Sequence, residues 1–241
     1  MPSPARRSVR ASPPPTARTV LARLRAMGSA KVRAGYARFG LAPTRALGIA
    51  MPRIQRLAKE LGPRHDLVDA LWASGIYEAR LLVAYLGEPQ RLTALQMERW
   101  CRDFDNWGVT DTLCFVLFDR SPRAFAQIAA WRTRRPEFEK RAAFALLASV
   151  ALHDKAAADA PFVRALGWIR RAATDPRNFV KKGVLWALRG VGGRNAALHG
   201  KALALADELA AATDPTARWV GREAARELRS PATRRRIARR G

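Results

Sequence analysis

Residues 182–188 read KGVLWAL, a single polar side chain followed by a run of apolar residues. Four other segments repeat this form, each with its own polar residue at the start: Arg80 before LLVAYL, Asp111 before TLCFVL, Arg141 before AAFALL and Arg222 before EAAREL. Within and around these runs, apolar residues recur at intervals of three and four, and no stretch alternates with a period of two as a half-buried strand would. The sequence therefore predicts an all-α protein.

The spacing of the five polar positions indicates a repeat. They follow one another at intervals of about 30 to 40 residues, which is the period of HEAT-like helical repeats. A second copy supports this period, because AATDP occurs at residues 172–176 and again at 211–215. In each copy Asp suits an N-cap and Pro suits the first helical position. We therefore predict an α-solenoid whose inner helices line a basic concave face. A plain helical bundle with basic helix starts is the alternative.

The chain is strongly basic. It has 44 lysines and arginines against 20 aspartates and glutamates, and its formal net charge is +24. Such an excess suits a polyanionic partner, most simply nucleic acid, although a proteome of basic composition would raise the charge without that function. Residues 1–18 are predicted to form a disordered basic tail, residues 19–230 the HEAT-like-repeat domain, and residues 231–241 a basic C-terminal tail.

Cysteine and histidine usage argues against a disulfide framework and against a metal site. The two cysteines, Cys101 and Cys114, lie in apolar runs and are expected to be buried, and the three histidines show no ligand spacing. We therefore expect no cofactor and no metal. No apolar stretch is long enough to span a membrane, and the N-terminal residues do not form a secretory signal. A cytoplasmic location is expected, in a bacterium at the nucleoid through DNA binding.

Asp111 is the exception among the five polar positions, because a carboxylate stands where the others are basic. Trp107 precedes it by four residues and would share its helical face, with Asn106 as the N-cap. Arg141 and Trp186 belong to the following repeats and could converge on the same patch. A carboxylate among cations suggests a catalytic group in an anion-binding surface. The alternative is a capping aspartate beside structural tryptophans. Four other tryptophans are expected to lie in the core: Trp72, Trp100, Trp131 and Trp168.

The segments around these residues resemble the AlkD-type DNA alkylation repair proteins, which are HEAT-like-repeat alkylpurine DNA glycosylases. The resemblance covers the chain from about residue 30 to 230. It rests on four motifs: LWASGIYEARLLVAYL at 71–86, DNW-x-x-x-D at 105–111, KRA at 140–142 and FVKK-x-x-x-WALR at 179–189. The second and fourth motifs are specific in combination, whereas either alone would be weak.

By this resemblance, Asp111, Trp107 and Trp186 form the catalytic trio, and Arg141 contacts the DNA backbone. The implied activity is base excision repair, by hydrolysis of the N-glycosidic bond of cationic N3- or N7-alkylated purines in duplex DNA without strand cleavage. Four further basic residues are candidates for phosphate contacts, which position a protein on DNA without reading its sequence: Arg80, Lys181, Lys182 and Arg189.

Two other functions remain open on these grounds. A non-catalytic helical-repeat module would bind DNA or RNA through the same basic face and release no base. A protein-interaction solenoid would bind acidic proteins instead. A pure DNA binder gains nothing from a carboxylate that faces phosphates, so Asp111 favours the enzyme. The expected partner is duplex DNA containing alkylated bases, and the chain is expected to act as a monomer.

Overall fold

The computed structural model describes residues 14–239, which form helices and turns but no strands. The predicted all-α class is therefore confirmed. The described residues form fourteen α-helices: α1 (Ala17–Met27), α2 (Ala30–Gly35), α3 (Met51–Leu61), α4 (Val68–Ala73), α5 (Tyr77–Leu86), α6 (Ala94–Arg102), α7 (Trp107–Val116), α8 (Ala124–Trp131), α9 (Glu137–His153), α10 (Ala160–Ala172), α11 (Asn178–Gly192), α12 (Ala196–Ala210), α13 (Pro215–Leu228) and α14 (Pro231–Ala238). Short 3₁₀ turns lie between some of them: Tyr36–Phe39, His65–Leu67, Pro89–Arg91 and Phe118–Arg120.

The helix boundaries differ from the predicted boundaries of the two tails. Residues 1–13 of the predicted N-terminal tail lie outside the described residues, and α1 begins at Ala17, inside that predicted tail, with Thr16 as its N-cap. The segment 231–241, predicted as a basic C-terminal tail, contains α14. This helix packs on α13 and buries Ile237. Within the described residues, the repeat domain thus extends beyond its predicted limits at both ends.

The helices form two layers that follow the order of the chain. In the first layer α3, α5, α7, α9, α11 and α13 lie side by side, each packed on its predecessor. In the second layer α4, α6, α8, α10 and α12 pack on the first. Helix pairs stacked in this way make an α-solenoid, as predicted. The five polar positions of the repeat all fall in the first layer. They lie in α5, α7, α9, α11 and α13, in this order: Arg80, Asp111, Arg141, Lys182 and Arg222.

Helix α9 is the centre of the core. Residues 141–151 are all buried, because α9 packs on α7, α8 and α11 and a helix that is apolar all round belongs inside a protein. Small residues allow close packing with α11: a Cβ added to Gly190 would lie 3.1 Å from the Cα of Ala148. The side chains of α7 and α11, which flank α9, are thereby brought within reach of each other.

The predicted N-caps are found at two of three positions. Asn106 caps α7 and Asp214 caps α13, and each side-chain oxygen accepts a backbone N–H from the first helical turn. The prediction for Asp175 is wrong, because α11 begins only at Asn178. The Asp175 carboxylate instead accepts hydrogen bonds from the side chains of two cations: Lys140 and Arg177.

The core predictions hold for three of the four tryptophans. Trp72, Trp100 and Trp131 are buried, and the first two stack with their ring centroids 4.9 Å apart. Trp168 packs against the core but is only half-buried, and its ring centroid lies 4.8 Å from the guanidinium carbon of Arg132. Both cysteines are buried, as expected: Cys101 and Cys114.

Candidate functional site around Asp111

Asp111 lies in α7 and forms a two-point ion pair with Arg141 of α9. The Arg141 Nε donates to the Asp111 Oδ1 at 2.8 Å, and the Nη2 donates to the Oδ2 at 2.6 Å. Paired N–H···O bonds of this kind are strong and fix the orientation of the carboxylate. The Asp111 side chain keeps 19% of its surface exposed, so it is largely buried but still reachable from solvent.

Arg141 is itself buried, with only 7% of its surface exposed. Its remaining Nη1 donates to the backbone carbonyl oxygen of Phe179 at 2.7 Å. All three guanidinium nitrogens therefore have partners within the protein. In this structure Arg141 lies behind Asp111 and positions the carboxylate; its predicted contact with the DNA backbone stays a prediction.

The electrostatics of Asp111 reflect two opposing effects. Burial raises the pKa of the Asp111 carboxyl above its ordinary value, and the hydrogen bonds and positive charge of Arg141 oppose that rise. A guanidinium is always protonated and donates to both carboxylate oxygens, which favours the ionised form of Asp111. The pair therefore presents a negative charge whose position is fixed by a buried cation.

Trp107 is the first residue of α7 and lies one turn before Asp111. Its ring is half-buried, and its N–H donates to the carbonyl oxygen of Phe39 at 3.0 Å. The next residue, Gly108, lets α7 approach α5 closely, since a Cβ there would lie 2.5 Å from the hydroxyl oxygen of Tyr77. The indole is thus tied to a neighbouring segment while it shares a helical face with Asp111.

Glu78 organises the segment that contacts Trp107. It is fully buried in α5, and its carboxylate accepts hydrogen bonds from one hydroxyl and three backbone N–H groups: Tyr36, Leu47, Gly48 and Ile49. Burial, together with the Glu78 charge, raises the pKa of Tyr36. Tyr36 begins the 3₁₀ turn that ends at Phe39. Sequence reasoning missed Glu78, although an acidic residue inside the run IYEARLL was a signal.

Trp186 of α11 reaches α7 one turn beyond Asp111. Its ring is half-buried and stacks on Phe115, with the ring centroids 6.3 Å apart and the planes at 26°. It also lines a surface depression of about 140 Å³ together with Arg189. The structure thus places Trp107 and Phe115 on the same helix as Asp111, and joins Trp186 to that helix through Phe115. Sequence reasoning missed Phe115.

The four basic residues predicted to contact phosphates differ in solvent exposure and in the partners they already have. Lys182 is exposed on α11. Lys181 is half-buried, with its ammonium nitrogen 5.1 Å from the ring centroid of Trp219. Arg189 forms an ion pair with Glu227. Arg80 lies over the Trp72 ring and donates to the Asp103 carbonyl oxygen at 3.1 Å. Lys182 is therefore the most accessible of the four for a phosphate.

A carboxylate–imidazole pair joins the 3₁₀ turn that follows α7 to the C-terminal end of α9. The Nδ1 of His153 is in short contact with the carboxylate of Asp119, whose side chain is fully buried. Burial raises the pKa of Asp119, and the contact with His153 opposes that rise. The imidazole ring is edge-on to Phe115, with the centroids 4.4 Å apart. The pair fixes the orientation of the His153 ring.

Two further features of the described residues concern membrane-spanning helices and metal-binding clusters. Among the helices that the structure describes, none combines the length and the apolarity needed to cross a lipid bilayer. Within the same part of the chain, residues 14–239, no cluster of three or more histidine, cysteine or acidic residues is arranged to hold a metal ion.

Comparisons with known proteins give the family and the fold of the chain. The family model described as DNA alkylation repair enzyme matches residues 20–228 of the chain. A solved structure has the same fold, with a TM-score of 0.76 over 92% of this chain and 96% of its own, at 18% sequence identity. It is described as representing a new family of proteins related to the HEAT-like repeat DNA glycosylases with affinity for branched DNA structures. No curated protein matches the sequence.

Proposed function

The chain belongs to the DNA alkylation repair enzyme family, and on that premise we propose that it is a monofunctional alkylpurine DNA glycosylase. Its proposed substrate is duplex DNA that contains a cationic N3- or N7-alkylated purine. Its proposed reaction is hydrolysis of the N-glycosidic bond of that purine without strand cleavage. The observation that carries this proposal is the Asp111 carboxylate, which Arg141 holds in a fixed orientation on a face otherwise marked by basic positions.

One carboxylate is enough for this reaction. An ordinary glycosidic bond needs a general acid to protonate the leaving group, so two carboxyl groups are used. A purine that already carries a positive charge leaves with the electron pair of the broken bond and needs no proton. The ionised Asp111 would stabilise the oxocarbenium-like sugar and orient the water that adds to the sugar carbon. The proton released by that water passes to Asp111 or to solvent. This chemistry calls for no metal or cofactor.

The two tryptophans have a supporting role in the proposed mechanism. Indole rings attract cations and pack on sugar edges, so Trp107 and Trp186 would favour a substrate that carries a positive charge. Contacts of this kind contribute about 0.5–2 kcal/mol each, enough to select a substrate but too little to account for the rate. We assign the larger share of catalysis to Asp111.

The test is release of 7-methylguanine from methylated duplex DNA by the purified protein and by Asp111→Asn. Removal of a charge that stabilises a transition state costs on the order of 10²–10³-fold in rate, so we expect the variant to release base at least that much more slowly. Duplex binding should be unchanged or slightly tighter, because a negative charge that faces phosphates has gone. Excision unchanged in Asp111→Asn would contradict the mechanism.

Asp207→Asn is the matched control for this experiment. Asp207 also pairs with an arginine, Arg229, but on the exposed surface of α12. Its loss should leave both base release and duplex binding at the wild-type level. Thermal unfolding of both variants distinguishes a catalytic defect from a loss of folded protein.

A non-catalytic DNA-binding module is the second candidate. The solved structure described above has 18% identity with this chain and belongs to proteins related to glycosylases with affinity for branched DNA. For this chain, that alternative predicts tight DNA binding with no 7-methylguanine release from wild type or from Asp111→Asn. The same pair of measurements therefore separates the two candidates.

A further inference from the structure

Phe115 is an exposed apolar side chain of the first layer. It lies in α7 one helical turn beyond Asp111 and keeps 36% of its surface exposed. Its ring lies between two others: His153 at 4.4 Å in an edge-on arrangement and Trp186 at 6.3 Å in a stacked one. Phe115, His153 and Trp186 together are called the aromatic ledge below. The function proposed above uses only one of its three members.

The aromatic ledge is held rigidly by the first-layer helices. Phe115 and Trp186 come from α7 and α11, which flank α9, and they meet because α9 carries small residues there: Ala148 lines the depression beside Trp186. His153 ends α9, and its ring is oriented by the fully buried carboxylate of Asp119. Rings that are fixed before binding lose little conformational entropy when a ligand packs on them.

Cationic side chains lie on both sides of the aromatic ledge. On the Trp186 side, the depression of about 140 Å³ is lined by Arg189 and Arg236, with Glu227 paired to the former. On the His153 side, a depression of about 350 Å³ is lined by the exposed Arg120 together with Asp119 and Asp154. The arrangement is a set of partly exposed rings with guanidinium groups at both edges, and at the His153 edge the charge of Arg120 is offset by two carboxylates.

Aromatic rings bordered by cations match the two surfaces of a nucleotide, because the rings stack on the face of a base while the cations attract its phosphates. In an intact duplex both faces of each base are covered by neighbouring bases, so only an unpaired base offers a free face. We propose that the aromatic ledge binds an unpaired base of DNA, one that has left the duplex held beside Asp111. This inference rests on the DNA-binding part of the proposed function and not on base excision.

Fluorescence anisotropy with three labelled duplexes tests the proposal. The first is fully paired, the second has a single unpaired adenine, and the third has an abasic residue at that bulged position. The two bulged duplexes have the same number of nucleotides and phosphates and differ in the presence of a base. Wild-type protein should bind the adenine bulge at least about fivefold more tightly than the abasic bulge, the lower end of what stacking of one base contributes. Equal affinity for the two bulges would overturn the proposal.

Variants of Phe115 connect this preference to the aromatic ledge. Phe115→Ala should remove most of the difference in affinity between the adenine and abasic bulges; because both are measured with the same variant, a change in overall duplex affinity cancels in that ratio. Phe115→Leu keeps an apolar side chain against Trp186 and should also lose the preference, so a folding defect in the alanine variant would leave the test intact. Leu95→Ala removes another exposed apolar side chain, on α6 of the second layer, and should keep the preference. Retention of the preference by both Phe115 variants would also overturn the proposal.

The outcome is separable from that of the glycosylase test. Bulge preference is an equilibrium binding measurement on unmodified DNA, so it does not depend on whether any alkylpurine is released. A protein that prefers the adenine bulge but releases no 7-methylguanine would support the aromatic ledge and contradict the glycosylase. The reverse result would contradict only the aromatic ledge.

Discussion

Two aspartate–arginine pairs connect neighbouring repeats of this protein, and each places an arginine against both oxygens of a carboxylate. In the first layer Asp111 accepts two hydrogen bonds from Arg141 at 2.8 and 2.6 Å. On the outer surface both oxygens of Asp207 accept from Arg229, at 2.7 and 2.8 Å. The side chains of the first pair are 19% and 9% exposed, whereas those of the second are 46% and 50% exposed. The inner pair uses two guanidinium nitrogens, whereas both bonds of the outer pair come from the Nη2 of Arg229. The two pairs therefore differ in burial and in bonding.

The comparison shows how burial and a two-nitrogen contact fix the orientation of a carboxylate. Water screens the outer pair, so its contribution to stability is small and its charges are cancelled locally. The inner pair is largely removed from water, so each charge depends on the other and the carboxylate cannot change its orientation freely. A carboxylate fixed in this way has a defined direction in which its negative charge acts.

The largest expected difference between the pairs is in stability. Arg141→Ala leaves the Asp111 carboxylate buried and unpaired, and also removes the donor to the Phe179 carbonyl oxygen. Breaking a buried pair costs about 3–5 kcal/mol, whereas Arg229→Ala should cost less than about 1 kcal/mol. Urea unfolding of both variants measures these free energies. Equal costs for the two variants would mean that the inner pair is as well solvated as the outer one.

A third aspartate sharpens the comparison through its pH dependence. Asp175 accepts from Arg177 at 2.7 Å and from Lys140 at 2.8 Å, and these bonds, that of Arg177 foremost, lower the pKa of Asp175 below its ordinary value. A carboxyl whose pKa is lower in the folded state contributes stability above its unfolded pKa of about 4, and that contribution is lost as the pH falls toward the folded pKa. Asp175→Asn should therefore destabilise the protein at neutral pH by about 1–3 kcal/mol.

Thermal unfolding of wild type and Asp175→Asn across a pH series measures this effect. The difference in melting temperature should be largest at neutral pH and should shrink below about pH 4, where the carboxyl becomes protonated in the unfolded chain while it is still ionised in the folded protein. A difference that stays constant down to acid pH would show that the charge of Asp175 contributes nothing. Asp207→Asn is the control, and its smaller difference should follow the weaker, solvent-screened pair.

The smallest expected effect concerns cations on the two faces of the solenoid. Lys182 is exposed on α11 of the first layer, and Lys201 is exposed on α12 of the second. If the first layer faces DNA, Lys182→Ala removes one phosphate contact, weakens binding to all sequences alike and makes the slope of log K against log salt shallower by about one. Lys201→Ala should leave the slope unchanged. The same slope change in both variants would contradict the prediction that DNA binds to the first layer rather than the second.

Much of the fold could be predicted from the sequence because its signals are local. The five polar positions recur with the repeat, and each lies in a different helix of the first layer. Asn106 and Asp214 cap helices as predicted, because an N-cap bonds only to backbone a few residues away. Asp175 fails the same rule since Lys140, a residue of the preceding repeat, provides a competing partner for its carboxylate.

The candidate site was predictable only in part, for a similar reason. Asp111 and Trp107 share a helix, so their common face follows from a spacing of four residues. The burial of Arg141 behind Asp111 depends on how α7 lies against α9. The contact between Phe115 and Trp186 depends on the small residues of the helix between them. Glu78 acts on Trp107 through a loop and a 3₁₀ turn, a connection that no local pattern contains.

The sequence by itself determined the helical class, the repeat and the one carboxylate among basic positions, because periodicity and charge are properties of neighbouring residues. The tertiary structure decided which of two similar aspartate–arginine pairs is buried, that Arg141 supports Asp111 from within, and that three rings from three helices form one aromatic ledge. Those outcomes depend on contacts between repeats. Such contacts are set by helix packing, in which the size of a side chain on one helix decides what its two neighbours can reach.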